Sequence, residues 1–168
     1  MALKPDRNIG QGVEISYFMN HTCERGGIVT HESSGSGAAM DQSNAVVIGS
    51  GGAASGTTPA GLLLNDMVNK DLTTTHLNQH KDEVQLGGKV SVLRRGTIVT
   101  NVIDTAVNPT AGNAAYYKNQ TFGDTTNQWV LSTTNPNDLG DDLNPNRVGT
   151  FLSSEDEDGY VKVEINLP

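Results

Sequence analysis

At the end of the chain Val161, Val163, Ile165 and Leu167 alternate with Lys162, Glu164 and Asn166. That period of two predicts a strand with one face buried and one in water. Just upstream, Val148-Gly-Thr-Phe-Leu is apolar, and Ser153-Ser-Glu-Asp-Glu-Asp-Gly is turn chemistry ending in Asp-Gly. Together with Tyr160 these segments predict a hairpin. Short β-branched or apolar runs predict further strands at 13–19, 27–30, 45–48, 61–64, 89–93, 97–103, 114–118 and 128–131. Many short strands separated by Gly, Asn, Asp and Pro predict a mainly β fold, a compact β-barrel or a jelly-roll-like β-sandwich. The one segment with a helical reading is 72–84, with Asp71 as N-cap, although Leu72, Leu77 and Val84 do not recur at three and four. Residues 32–44 and 135–147 read as long loops, of the kind that bind something or move. Residues 1–12, with Lys4-Pro5 and no periodicity, read as an N-terminal arm on a single β domain over 13–168. Pro59-Ala-Gly-Leu-Leu-Leu-Asn-Asp and Arg147-Val-Gly-Thr-Phe-Leu-Ser-Ser-Glu echo one another, without a sustained repeat period.

The length of 168 residues fits one domain by the rule of about 100–200 residues each. Nineteen acidic residues against eleven basic ones give a net charge of −8, and Arg94-Arg95 is the only adjacent basic pair. Nucleic-acid binding is not expected, because that affinity comes from clustered Lys and Arg neutralising phosphates. The first residues lack the apolar stretch of a secretory signal, and no run approaches the ~20 apolar residues needed to cross a bilayer. The expectation is a soluble, unprocessed product with no membrane partner. Cys23 is the single cysteine, so no internal disulfide is available and a reducing site of synthesis is the natural reading. His21 lies two residues away, but a buried inert thiol is the better account of Cys23 than a nucleophile.

The strings that suggest chemistry fail on their own mechanisms. Gly49-x-Gly51-x-x-Ala54 follows an apolar run, as a dinucleotide fingerprint does, but Gly56-Thr-Thr-Pro-Ala-Gly breaks the helix that must receive the pyrophosphate. Gly87-Gly88-Lys89-Val90 lacks both the leading glycine, since residue 83 is Glu, and the Ser or Thr that would hold magnesium. His76 and His80, with Asp82 and Glu83 nearby, have zinc-like spacing only if their segment is helical, and read better as surface or interface histidines. Asp142-Leu-Asn144-Pro-Asn146 begins like a calcium loop, but Arg147 stands where glycine is needed and Ser153 where glutamate is. The acidic turn from Ser154 to Gly159 has the same defect, with Ile165 at its twelfth position, and reads as a solvated surface. No nucleophile elbow is present. The expectation is a protein that is not an enzyme, with no catalytic residues, no metal and no cofactor.

Pro59-Ala-Gly-Leu-Leu-Leu-Asn-Asp-Met-Val-Asn-Lys-Asp-Leu-Thr and His80-Lys-Asp-Glu-Val-Gln-Leu-Gly-Gly-Lys-Val-Ser-Val-Leu-Arg-Arg-Gly carry a resemblance. So do Val148-Gly-Thr-Phe-Leu and Gly159-Tyr-Val-Lys-Val-Glu-Ile-Asn-Leu at the end. In these the chain resembles capsid decoration, or cement, proteins of tailed bacteriophages, of the cyanophage type. The resemblance implies a non-enzymatic virion protein on the outer surface of the icosahedral shell. It also implies a homotrimer at local three-fold positions that clamps neighbouring subunits of the major capsid protein. The capsid contacts are then expected in the arm, at Leu3, Lys4, Pro5, Arg7, Asn8 and Ile9, ordering on the shell. The alternative is a virion fibre or adhesion module that binds glycans, with Trp129, Tyr116 and Tyr117 as its aromatic platform.

Overall fold

A computed structural model gives the fold and describes residues 3–4, 12–21, 23–32, 46–48, 58–67, 83–84, 89–123, 125–135 and 146–167. These form twelve strands and no helix: β1 (Leu3–Lys4), β2 (Gly12–Met19), β3 (Cys23–Glu24), β4 (Ile28–His31), β5 (Val46–Ile48), β6 (Pro59–Met67), β7 (Glu83–Val84), β8 (Lys89–Thr100), β9 (Ala114–Phe122), β10 (Thr125–Ser132), β11 (Arg147–Phe151) and β12 (Val161–Asn166). The expected barrel is present. Ten strands make one sheet in the order β10-β9-β11-β12-β8-β2-β5-β4-β6, with β1 beside β8, while β3 and β7 pair separately.

The long strand β8 organises the sheet. Its first half pairs with β2 on one edge and with β6 on the other. The path from β2 through β5 and β4 to β6 therefore returns to β8 and closes a ring of five strands. The β2–β5 pairing is its one parallel contact. The second half of β8 pairs with β12, and the sheet continues through β11 and β9 to β10. Its return is made by a parallel bridge between Ile103 and Leu131, supported by Asp104 N donating to Leu131 O at 2.7 Å and Leu131 N donating to Val102 O at 3.1 Å. Two ring-like halves thus share one strand, the second nearly closed.

Each half has its own core. The larger contains Ile98, Ile103, Tyr117, Trp129, Leu131, Val148, Phe151, Val161, Val163, Ile165 and Leu167, together with Ile28, Leu62 and Leu93. The smaller contains Tyr17, Met19, Cys23, Val29, Ala60, Leu63, Val90 and Val92. Successive residues of β4, β6 and β8 therefore enter opposite cores, Ile28 against Val29, Leu62 against Leu63, Leu93 against Val92. Over residues 28–30, 60–63 and 92–93 these strands wall the two cores apart and are buried on both faces. That is why Ile28-Val29 and Leu62-Leu63 read as apolar runs without alternation, whereas β12 with one wet face alternates.

The sequence suggested two strands, 89–93 and 97–103, where the structure has one, because Arg94-Arg95-Gly96 looks like an interruption. β8 runs through it with a bulge: Gly12 of β2 faces Arg95, and the next residue, Val13, faces Leu93. The extra residue changes which side each position faces, so Leu93 and Ile98 both reach the larger core. The helix suggested for 72–84 is overturned where the structure describes it. Glu83 and Val84 form β7, opposite Glu24 and Cys23, and residues 72–82 lie outside the described residues.

The two glycines of the sequence echo share a physical cause. A Cβ on Gly61 would fall 2.4 Å from Leu93 O, and one on Gly149 would fall 1.8 Å from Glu164 O. In both places a neighbouring strand's carbonyl occupies the space of a side chain, as strand glycines at close backbone approaches permit.

Candidate functional site

Leaving β8, the chain passes the Ile103 bridge and buries Asp104, 1% exposed. An unpaired carboxylate there would be costly, and this one is fully engaged. Its Oδ1 accepts from Ala106 N at 3.0 Å, and its Oδ2 accepts from Ser132 Oγ at 3.0 Å and pairs with Lys118 Nζ. Burial alone would raise its pKa. The bonds from Lys118, Ala106 N and Ser132, with the Lys118 charge, outweigh burial and hold the carboxyl below its ordinary value. Ser132 Oγ also accepts from Thr134 N at 3.0 Å, and Gln120 Nε2 donates to Thr105 Oγ1 at 2.7 Å. The 101–108 segment is thereby fastened to β9 and β10.

The β11–β12 turn is equally well built. Asp156 Oδ1 accepts from Asp158 N at 3.0 Å and from Tyr160 N at 2.8 Å, and Asp156 O accepts from Gly159 N at 3.0 Å. Ser153 Oγ accepts from Lys162 N at 2.9 Å. Asp156 thus organises the turn, in the way Asx side chains replace backbone partners, while Glu155, Glu157 and Asp158 are exposed. Leu152, 41% exposed, precedes it as the exposed large hydrophobic side chain among the described residues.

Between this turn and the fastened segment lies a cleft of about 270 Å³. Ile103, Val107 and Phe122 give it apolar walls, Asn101, Thr105 and Asn108 supply polar groups, and Glu155 and Asp158 contribute carboxylates. Asp104 also lines it, already paired with Lys118. Among the described residues no group of three or more His, Cys, Asp or Glu side chains is placed to hold a metal ion.

The residues singled out from the sequence lie elsewhere. Leu3 and Lys4 pair with Thr100 and Val99 of β8, while Pro5, Arg7, Asn8 and Ile9 lie outside the described residues, as do His76, His80, Asp82, Asp142, Asn144 and residues 49–54. Cys23 is buried, with its Sγ donating toward Met19 Sδ at 3.8 Å, whereas His21 is exposed. Trp129, Tyr116 and Tyr117 are all buried, Trp129 meeting Tyr117 edge to face at 6.1 Å. They are core residues and present no aromatic platform to a glycan. Sequence reasoning missed Asp104, Lys118 and Ser132. Asp104 and Ser132 are 28 residues apart, and no local pattern marks such a meeting.

Among the described residues, buried polar groups brace the 101–108 segment and an acidic turn stands beside a small cleft. The chain belongs to the phage family described as structural cement protein (E217 gp24/Pam3 gp6), which it matches over residues 16–166. No curated protein matches it. The family is one of structural proteins rather than enzymes, and a cement protein is a component of the virion capsid.

Proposed function

We propose that the protein binds the outer surface of the icosahedral shell as a homotrimer and clamps neighbouring subunits of the major capsid protein. In this reading residues 1–12 form an arm that contacts the capsid through Leu3, Lys4, Pro5, Arg7, Asn8 and Ile9. The observation that carries the proposal is the family match across residues 16–166. Two structural features support it. The two rings enclose separate cores around one shared strand, and on a body that touches several subunits at once each weak contact raises the effective concentration for the next. The first strand, β1, is two residues long, so it can leave β8 at little cost to the fold.

Cosedimentation of the full chain with expanded and unexpanded shells of the parent phage tests the reading. Saturable binding selective for the expanded shell, at three copies per local three-fold position, is the expected result; no binding to either shell rejects it. Deleting residues 1–12 should weaken that binding while the unfolding midpoint stays in place. Undiminished binding by the shortened chain rejects the arm alone.

A further inference from the structure

We infer that copies of the chain meet one another at the turn of Thr110, Ala111, Gly112 and Asn113, placed beside the rotation axis of the assembly. The inference rests on the homotrimer reading above and names its contact surface. The distribution of charge is the first argument. From Thr105 to Asn137 the charged residues are Lys118 and Asp124, one of each sign, so that stretch is neutral and the rest of the chain carries the whole net charge of −8. Lys118 is itself paired with Asp104. In a ring of identical subunits, residues next to the rotation axis face their own copies. A charged side chain there faces its own charge, and like charges brought together across an interface oppose association. An acidic chain therefore closes a ring most readily where its surface is uncharged. Thr105, Ala106, Asn108, Thr110, Ala111 and Gly112 are exposed and carry no charge. Exposed charge lies elsewhere, on Glu155 and Glu157 of the β11–β12 turn, on Arg95 of β8 and on Glu164 of β12.

The build of the turn is the second argument. Asn113 Oδ1 accepts from Thr110 N at 2.9 Å and from Thr110 Oγ1 at 2.8 Å, and Thr110 O accepts from Asn113 N at 3.1 Å. Gly112 has a φ of 93°, and a Cβ there would meet nothing within 4 Å, so the tip faces open space. Gly112 N donates to Phe151 O and Phe151 N donates to Asn113 O, both at 2.8 Å, which fastens the turn to β11. A protruding turn that is already ordered spares association the cost of ordering it.

The third argument is the neighbour of that junction. Leu152, 41% exposed, directly follows Phe151. It adds an apolar side chain beside the uncharged turn, and interfaces between identical subunits are more apolar at their centre than the remaining surface.

Light scattering of the full chain over a range of concentrations tests the inference, with the variants Ala111→Asp, Ala111→Lys and Asn166→Asp. Ala111 sits at the exposed tip, and Asn166 is exposed on β12, so Asn166→Asp adds a negative charge away from the turn. The wild type should be a trimer. Both Ala111 variants should weaken its association at least about tenfold, whatever the sign of the new charge, and Asn166→Asp less than about twofold. Circular dichroism should show the wild-type fold in all three. An equimolar mixture of the two Ala111 variants should reassociate, because opposite charges then face one another across the axis. If the wild type and both Ala111 variants are trimers of equal strength, the turn is not the contact although the homotrimer stands. Opposite responses to Asp and Lys, or a mixture that stays dissociated, overturn the inference as well, because the turn then faces something other than its own copies. A wild type that is not a trimer removes both the contact and the homotrimer, while cosedimentation with shells still decides capsid binding.

Discussion

The two rings share β8 but differ in the size of their cores. In the ring of β8, β12, β11, β9 and β10, connections span 101–113, 123–124, 133–146 and 152–160, and fifteen buried residues make one core. In the ring of β8, β2, β5, β4 and β6, connections span 32–45 and 49–58 and β6 is joined to β7 by 68–82, while eight buried residues form the core. The first ring is the scaffold with the larger core, and the second a frame with the smaller core and connections of similar length. Loop closure costs little more as loops lengthen, so a frame can carry such connections if its strands are well anchored. Here the anchor is the wall of β4, β6 and β8, whose apolar side chains belong to both cores.

The largest expected effect tests that sharing. Phe151→Ala in the larger core should lower stability by about 3–5 kcal/mol, and Met19→Ala in the smaller by about 2–5 kcal/mol. Because the wall belongs to both cores, each substitution should shift one common transition in denaturant, followed by tryptophan fluorescence and circular dichroism together. Two separate transitions would break the comparison, leaving two independently folding rings.

The paired glycines sharpen it. Gly149→Ala places a Cβ 1.8 Å from Glu164 O, against 2.4 Å from Leu93 O for Gly61→Ala. Both should destabilise, Gly149→Ala more, by about 1–3 kcal/mol each as overpacking does. The reverse order in thermal unfolding would mean that the backbone strain at Gly61, whose φ is 152°, outweighs the closer approach at Gly149.

The smallest effect concerns Asp104 and distinguishes the rings by pH. Its folded pKa is lowered from 3.8. Its contribution is therefore present above that ordinary value and lost as pH falls through the lower folded one. Asp104→Asn should cost about 1–3 kcal/mol at neutral pH, because Lys118 and Ser132 lose a charged acceptor. The variant's stability should also decline less than the wild type's as pH falls below 3.8. Amide exchange should show the added opening in β9 and β10 rather than in β2 and β6. An unchanged pH profile would remove Asp104 as the acid-sensitive group.

How much was legible in the sequence follows from the same physics. The alternation Val161, Val163, Ile165 announced β12 because water lies on one side of it. Leu62-Leu63-Leu64 announced a strand but not its place, since a run buried on both faces carries no phase. β8 was divided at Arg94-Arg95 because a bulge and a strand end look alike without the partner strand. β3 and β7 are too short for any period, and the helix suggested for 72–84 fails at Glu83 and Val84 of β7. The cleft is formed by segments far apart in the chain, and although its acidic turn was visible as a turn, nothing local showed what lies opposite.

The shared strand also has a mechanical meaning. In antiparallel pairing the interstrand bonds run across the strand direction, and β8 is held on both edges, by β2 and β6 along one half and by β1 and β12 along the other. A pull directed along β8 loads these bonds in shear, so they must break together rather than open one by one. The two rings are joined by a tie bar, and tension passed from one to the other is met by a strand paired along both its edges.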